Sequence, residues 1–343
     1  MKHFFFAVIG VLLAFLPASA QKKYSVYGVG FYNQENLFDT CHDEGKRDYD
    51  FLPTGSYKWN AMKYNHKLSN MSRALADMGT DVLPNIGCAI IGLAEVENSK
   101  ALDDLIAQPA LSARNYQYVH IEGPDRRGID CALLYNPSLF SVKNTRLVPY
   151  VQKLKKDSAF YTRGFLTVSG TLADENVAVI VCHLPSRFSE SFYRELGAEQ
   201  VKAIKDSLLN CKVFVMGDMN DDPIDKSMAG ILKGKANIKD VNEGDMYNPW
   251  YNILVKEGVG TLLYQGSWNL FDQILVTPNL LNKDNNKDFS SLKFWKNQIF
   301  KRDYLFQTEG KYKGSPKRTT AGGVWLDGYS DHLPVVVYLV KEQ

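Results

Sequence analysis

Six short apolar runs in this chain each stop at, or contain, a polar residue that a buried strand does not ordinarily carry. They are Val26 to Tyr32 before Asn33, Ala89 to Ala94 before Glu95, Val177 to Cys182 before His183, Val213 to Met216 before Gly217-Asp218, Phe271 to Val276 around Asp272, and Pro334 to Val340 after Asp331-His332. Runs rich in β-branched and aromatic residues, without polar alternation, suit strands buried on both faces. Two sheets packed on each other and covered by outer helices would bury them. Helices are expected where Leu68, Met71, Leu75 and Met78 recur every three or four residues before Gly79, and where Ala198, Val201, Ile204 and Leu208 do the same.

The polar residues at these run ends form a chemically coherent set: Asn33, Glu95, His183, Asp218, Asn220, Asp272, Asp331 and His332. Carboxylates and amides are hard oxygen ligands, suited to Mg²⁺, Mn²⁺ or Ca²⁺ more than to zinc. Two histidines oriented by carboxylates supply proton transfer. Metal-assisted phosphoester hydrolysis needs both.

Lys2 and His3, the apolar run Phe4 to Leu16 and Ala18-Ser19-Ala20 read as a secretory signal cut after Ala20. The run is too short for a membrane span, which needs about 20 apolar residues. Removing Lys2 with the leader leaves 39 Lys and Arg against 38 Asp and Glu, so bulk charge does not announce a nucleic-acid binder. Residues 21–343 contain no linker, repeat or low-complexity tract and are expected to form one domain. The five cysteines, Cys41, Cys88, Cys131, Cys182 and Cys211, include no C-x-x-C pair, which argues against a thiolate zinc site. Nothing points to an obligate protein partner.

Seven ordered segments resemble the endonuclease/exonuclease/phosphatase superfamily, which includes pancreatic-type deoxyribonucleases. They are Phe31 to Phe38, Gly92 to Asn98, Arg127 to Tyr135, Cys182 to Arg187, Gly217 to Asn220, Trp268 to Leu275 and Ser330 to Pro334. The resemblance implies an α/β four-layer sandwich of two mixed β-sheets packed face to face, with helices on both outer sides. It also implies that Glu95, Asn33 and Asp331 hold the ion. His332, paired with Asp272, would polarise water or phosphate; Asp218 and Asn220 would position the nucleophile; and His183 would serve the leaving side. Whether Asp218 or His332 is the base stays open.

Asp130 is expected to orient His183 or to pair with Arg126 or Arg127. Arg127 and Arg187 are candidate phosphate forks against a solvated surface role, and Asn36, Glu97 and Asn98 candidate supports of the ligands. Asp221 and Asp222 are expected to cap the next turn. Between residues 283 and 320, ten Lys or Arg face four acids with aromatics interleaved. That composition suits a polyanion groove or a solvated loop with a small apolar cluster, in either case bordering the cleft. The expected activity is cleavage of DNA or RNA by an exported phosphodiesterase. A phosphatase or phospholipase C-like hydrolase is the alternative, and an inactive binding module is disfavoured because no site residue is replaced.

Overall fold

The apolar runs become neighbouring central strands of two sheets in a computed structural model that describes residues 22–152, 162–283 and 288–343. The expected leader, and Asp284 and Lys287 of the basic segment, lie outside those residues. One sheet has the order β14 (Lys293–Ile299), β17 (Val335–Glu342), β1 (Tyr24–Leu37), β2 (Cys88–Val96), β4 (Asp130–Tyr135) and β3 (Gln117–His120). The other runs β5 (Phe140–Val148), β6 (Phe165–Leu172), β7 (Glu175–His183), β8 (Lys212–Asp218), β13 (Asp272–Val276), β10 (Met246–Tyr247) and β9 (Gly234–Lys235). Two hairpins, β11 (Leu262–Tyr264) with β12 (Ser267–Asn269) and β15 (Thr320–Ala321) with β16 (Val324–Trp325), stand beside them. Both sheets are mixed: β1 with β2 and β7 with β8 are parallel, whereas β13 with β8 and β17 with β1 are antiparallel.

Strand alternation explains why the runs carry no polar face. Val177, Val179 and Val181 of β7 enter the core between the sheets with Val29, Phe31, Phe214, Met216 and Ile274. Ala178, Ile180 and Cys182 point the other way, onto Ala198, Val201 and Ile204 of helix α4 (Ser191–Ser207). Each fully buried Val, Ile or Phe contributes about 1.5–3 kcal/mol relative to exposure, so neither face tolerates polarity. Helix α1 (Ala61–Asp77) packs against α2 (Ser99–Ile106) and α3 (Pro109–Ser112) on the far side of the first sheet. Gly79, at φ +80°, follows α1 as the residue whose left-handed backbone ends it.

The basic segment is partly sheet: β14 is the edge strand on β17, with Phe294 and Ile299 buried. Lys293 donates to the Asn279 and Leu281 carbonyls, and Arg302 pairs with Asp81 at 2.7 Å. Part of its charge is therefore tied into the fold. All five cysteines are free. No helix among the described residues is long and apolar enough to cross a membrane.

Gly217, before Asp218, lies in register with Cys182 of the parallel neighbour. A Cβ there would stand 2.0 Å from the Cys182 carbonyl oxygen, a backbone atom that cannot step aside. Gly217→Ala is expected to cost about 3 kcal/mol or more in urea unfolding. A loss under about 1 kcal/mol would show that the two strands separate freely.

Candidate active site

Three strand ends of the second sheet lie side by side, with His183 paired to Asp218 and Asp218 to Asp272 in one row. The first sheet brings Asn33 and Glu95 opposite, on the parallel pair β1 and β2. The turn before β17 adds Asp331 and His332, anchored by the bridge of His332 to Leu262 and by the Leu333 N–H on the Thr261 carbonyl at 2.8 Å. The Asn33 amide donates to Asp218 Oδ2 at 3.0 Å and so joins the two sheets. His332 Nδ1 meets Asp272 Oδ2 at 2.7 Å, and its Nε2 lies 3.8 Å from Asp218 Oδ2 and 4.0 Å from Asp331 Oδ1. His183 Nε2 stands 3.6 Å from Asp218 Oδ2 and 3.7 Å from Glu95 Oε1.

Four residues of the site hold left-handed backbone. Glu35, Asn36, Glu95 and Asn220 all have positive φ, between +45° and +62°, which non-glycine residues adopt only when held. Glu95 sits at the irregularity between Ala94 and Val96, where the step that would bury its side chain is broken. Its Oε2 accepts the Asn36 N–H at 2.9 Å. The Asn220 N–H donates to Asp218 Oδ1 at 2.9 Å, and its side chain donates to the Leu184 carbonyl at 3.0 Å. Asn220 thus fixes the carboxylate and the turn.

Burial pushes the Asp218 carboxyl up to about 7, helped by the charges of Asp272 and Glu95 and opposed by His332 and the Asn220 N–H. Burial also holds His183 well below the usual histidine range, with Arg163 and Arg127 adding to it, so its imidazole is neutral. For His332 burial acts in the same direction, but Asp272 and Asp218 outweigh it and hold the ring charged well above that range. Three carboxylates, Asp218, Asp272 and Asp331, thus surround one charged histidine, Arg318 donates to Asp331 Oδ2 at 3.0 Å, and Glu95 stands beside His183. Glu95 Oε1 is 3.7 Å from a neutral imidazole, beyond hydrogen-bond reach. Hard oxygens with uncompensated negative charge fit a hard divalent cation.

A second network behind the site has no counterpart in the sequence reading. Glu35, buried, accepts the Thr319 N–H at 2.6 Å and Arg318 Nε at 3.3 Å. Buried Lys67 donates to Thr319 Oγ1 and the Tyr329 carbonyl. Burial and the Asp331 charge raise Glu35 to about 7, and burial lowers Lys67 to about 8. The one available signal was a lysine beside Tyr64, Leu68 and Met71 on the apolar face of a helix. Ser330 Oγ completes the support, donating to the Asn33 carbonyl and accepting the His332 N–H.

Two expectations are corrected. Asp130 orients neither His183 nor an arginine: its Oδ2 faces His120 Nε2 at 3.4 Å and accepts the Gly123 N–H at 3.0 Å. The cause is alternation along β4, which turns Cys131 to the inter-sheet core and Asp130 to the opposite face. His183 Nδ1 has no hydrogen-bond partner among the described residues. Arg187 is no open phosphate fork either. It donates to Asp222 at 3.0 Å, Asp225 at 2.7 Å, Asn269 and the Asn220 carbonyl, and lies over the Phe271 ring, bracing the turn of Asn220. Asp221 is held by Arg194 and Ser227. Arg127 stays half exposed, with Nε 4.0 Å from Asp125. The Asn36 backbone N–H donates to Glu95, Glu97 accepts the Asp39 N–H, and Asn98 caps α2.

The sequence matches the profile of the Endonuclease/Exonuclease/phosphatase family over residues 28–341. No curated protein matches it. Among solved structures it is similar to ANGEL2, a 2',3'-cyclic phosphatase, at 14% identity, 95% and 99% coverage of this and that chain, and TM-score 0.58. It is also similar to a mannosyl-6-phosphatase of Bacteroides thetaiotaomicron (16% identity, coverage 91% and 99%, TM-score 0.54) and to D. rerio TDP2 complexed with single strand DNA product (14%, 92% and 99%, 0.53). At such identities the likeness concerns the fold, an α/β sandwich of two mixed sheets. Residues 28–341 span nearly the whole chain, and the chain therefore belongs to the endonuclease/exonuclease/phosphatase family, whose members are phosphoester hydrolases generally dependent on a divalent metal.

Proposed function

We propose that the protein is an exported phosphodiesterase that cuts nucleic acid, using Mg²⁺ or Mn²⁺ held by Glu95, Asp331 and Asn33. The observation that carries the reading is the row His183, Asp218 and Asp272 facing Glu95, with His332 oriented by Asp272 at 2.7 Å. When bound, such an ion neutralises charge developing on a phosphoryl oxygen. Asp218, fixed by Asn33 and Asn220, orients the attacking water and accepts its proton. Charged His332 donates to a phosphoryl oxygen, and neutral His183 donates from Nε2 to the leaving side. Exposed Lys311, Tyr312 and Lys313, reached along the segment that ends in Arg318 at Asp331, offer charge and a stacking ring for a strand. Export rests on the Lys2-His3, Phe4 to Leu16 and Ala18-Ser19-Ala20 pattern.

A phosphatase acting on a small phosphate is the second reading. It is favoured by the engagement of Arg187, Lys293 and Arg302 within the fold, which removes cations from a polyanion track. A panel of single- and double-stranded DNA, RNA, bis-p-nitrophenyl phosphate and a sugar phosphomonoester, with Mg²⁺ or Mn²⁺, separates the two. Nucleic acid and the diester are expected to turn over at least about tenfold faster than the monoester, a difference of about 1.4 kcal/mol in barrier. Rapid release of phosphate from the monoester with intact nucleic acid would establish the second reading instead.

A further inference from the structure

We propose a second metal site, separate from the catalytic one, in which His120, Asp130 and Glu122 bind a transition-metal ion such as Zn²⁺. One ligand atom from each lies within 4.8 Å of the others. The separation of His120 Nε2 from Asp130 Oδ2, 3.4 Å, is too long for a charge-assisted hydrogen bond. It equals the edge of a tetrahedron around an ion that binds nitrogen and oxygen at about 2.0–2.2 Å, which is about 3.4 Å. Both side chains are 3% exposed, and His120 Nε2 has no hydrogen-bond partner among the described residues. Nδ1 of the same ring lies 3.3 Å from Ser99 Oγ. With the Nδ1 proton given to that hydroxyl, Nε2 presents a lone pair to a carboxylate oxygen, an arrangement that a cation between them makes favourable.

The surroundings are built for this geometry. Asp130 Oδ2 accepts the Gly123 N–H, and a Cβ at Gly123 would stand 2.3 Å from Asp130 Oδ1, so a side chain there would displace the carboxylate. Lys46 holds Glu122 Oε1 at 3.0 Å, at the rim. An open cleft of about 610 Å³ borders it through Ser99 and Glu122, and its four acids, Asp39, Asp43, Glu44 and Glu122, outnumber Lys46 and Lys100. Asp130 pairs with Val96, next to Glu95, yet its side chain is on the other face of the sheet, so the two sites do not share ligands.

The test uses the full chain carrying Glu95→Gln, which weakens the catalytic ion. Added Co²⁺ is expected to give the visible absorption of a four-coordinate ion, and Zn²⁺ to displace it at one equivalent. His120→Ala abolishes the band, and Glu122→Gln, at the exposed rim, raises the dissociation constant about tenfold. The proposal is overturned if folded His120→Ala retains the spectrum and stoichiometry, or if the parent gives no four-coordinate band. Should His120→Ala fail to fold, Glu122→Gln decides, since unchanged affinity there overturns the site.

Discussion

Glu95→Gln is expected to lower kcat/KM on a phosphodiester about 10³-fold or more, while leaving the metal-free protein at least as stable as the wild type. The substitution keeps an acceptor for the Asn36 N–H and removes only the charge. That charge lies 3.7 Å from neutral His183 and helps push the neighbouring Asp218 carboxyl up, so without a cation its removal relieves Asp218. Relief of the repulsion stabilises the variant by up to about 1 kcal/mol. Loss of the ion costs transition-state stabilisation of about 4 kcal/mol, equivalent to three decades in rate. Chelation with EDTA is expected to bring wild-type activity down to the level of the variant and to have little further effect on the variant itself. Steady-state kinetics beside urea unfolding in EDTA decide the matter. A joint fall of activity and stability would mean that Glu95 holds the bulge together and not an ion.

The opposite signs of those two effects reflect how the site is made, and also why part of it is legible in sequence. Asn33, Glu95, His183, Asp218 and Asp272 stand at the ends of, or within, uninterrupted apolar runs, where a polar residue has no place in a core. The same runs yield the central strands, because a strand buried on both faces leaves an unbroken hydrophobic stretch. Edge strands leave no such trace. β5 carries Ser141, Lys143, Asn144 and Arg146 and is largely exposed, and β14 hides inside the basic segment as Lys-Phe-Trp-Lys-Asn-Gln-Ile. Contacts between distant parts of the chain leave none either. Lys67 and Thr319, or Glu35 and Arg318, meet only because the segment leading into β15 packs against α1 and the end of β1. Asp130 shows the limit of the strand-end rule. It begins a strand beside Glu95, but its parity along β4 sends it to the other face, and parity at a strand end depends on a register that a bulge at Ala94 and Val96 shifts.

His332 and Asp272 are expected to fail as a unit. His332→Gln lowers kcat about 10³-fold, Asp272→Asn about 10²-fold, and the double variant is no worse than His332→Gln alone. The reason is the geometry: Asp272 is fully buried, its Oδ2 meets Nδ1 at 2.7 Å, and its Oδ1 has no partner among the described residues, so it reaches the cleft only through the ring. An asparagine at 272 keeps the shape but carries no charge, and with its amide nitrogen turned toward Nδ1 it makes that nitrogen an acceptor, which excludes the doubly protonated ring. It also removes the largest of the contributions that keep the ring charged against burial. The imidazolium then loses its proton at lower pH, so the alkaline limb of the pH–rate profile moves to lower pH in Asp272→Asn while His332→Gln has no such limb. Multiplying losses in the double variant, or an unmoved alkaline limb in Asp272→Asn, would show that the carboxylate and the imidazole act on the phosphate separately.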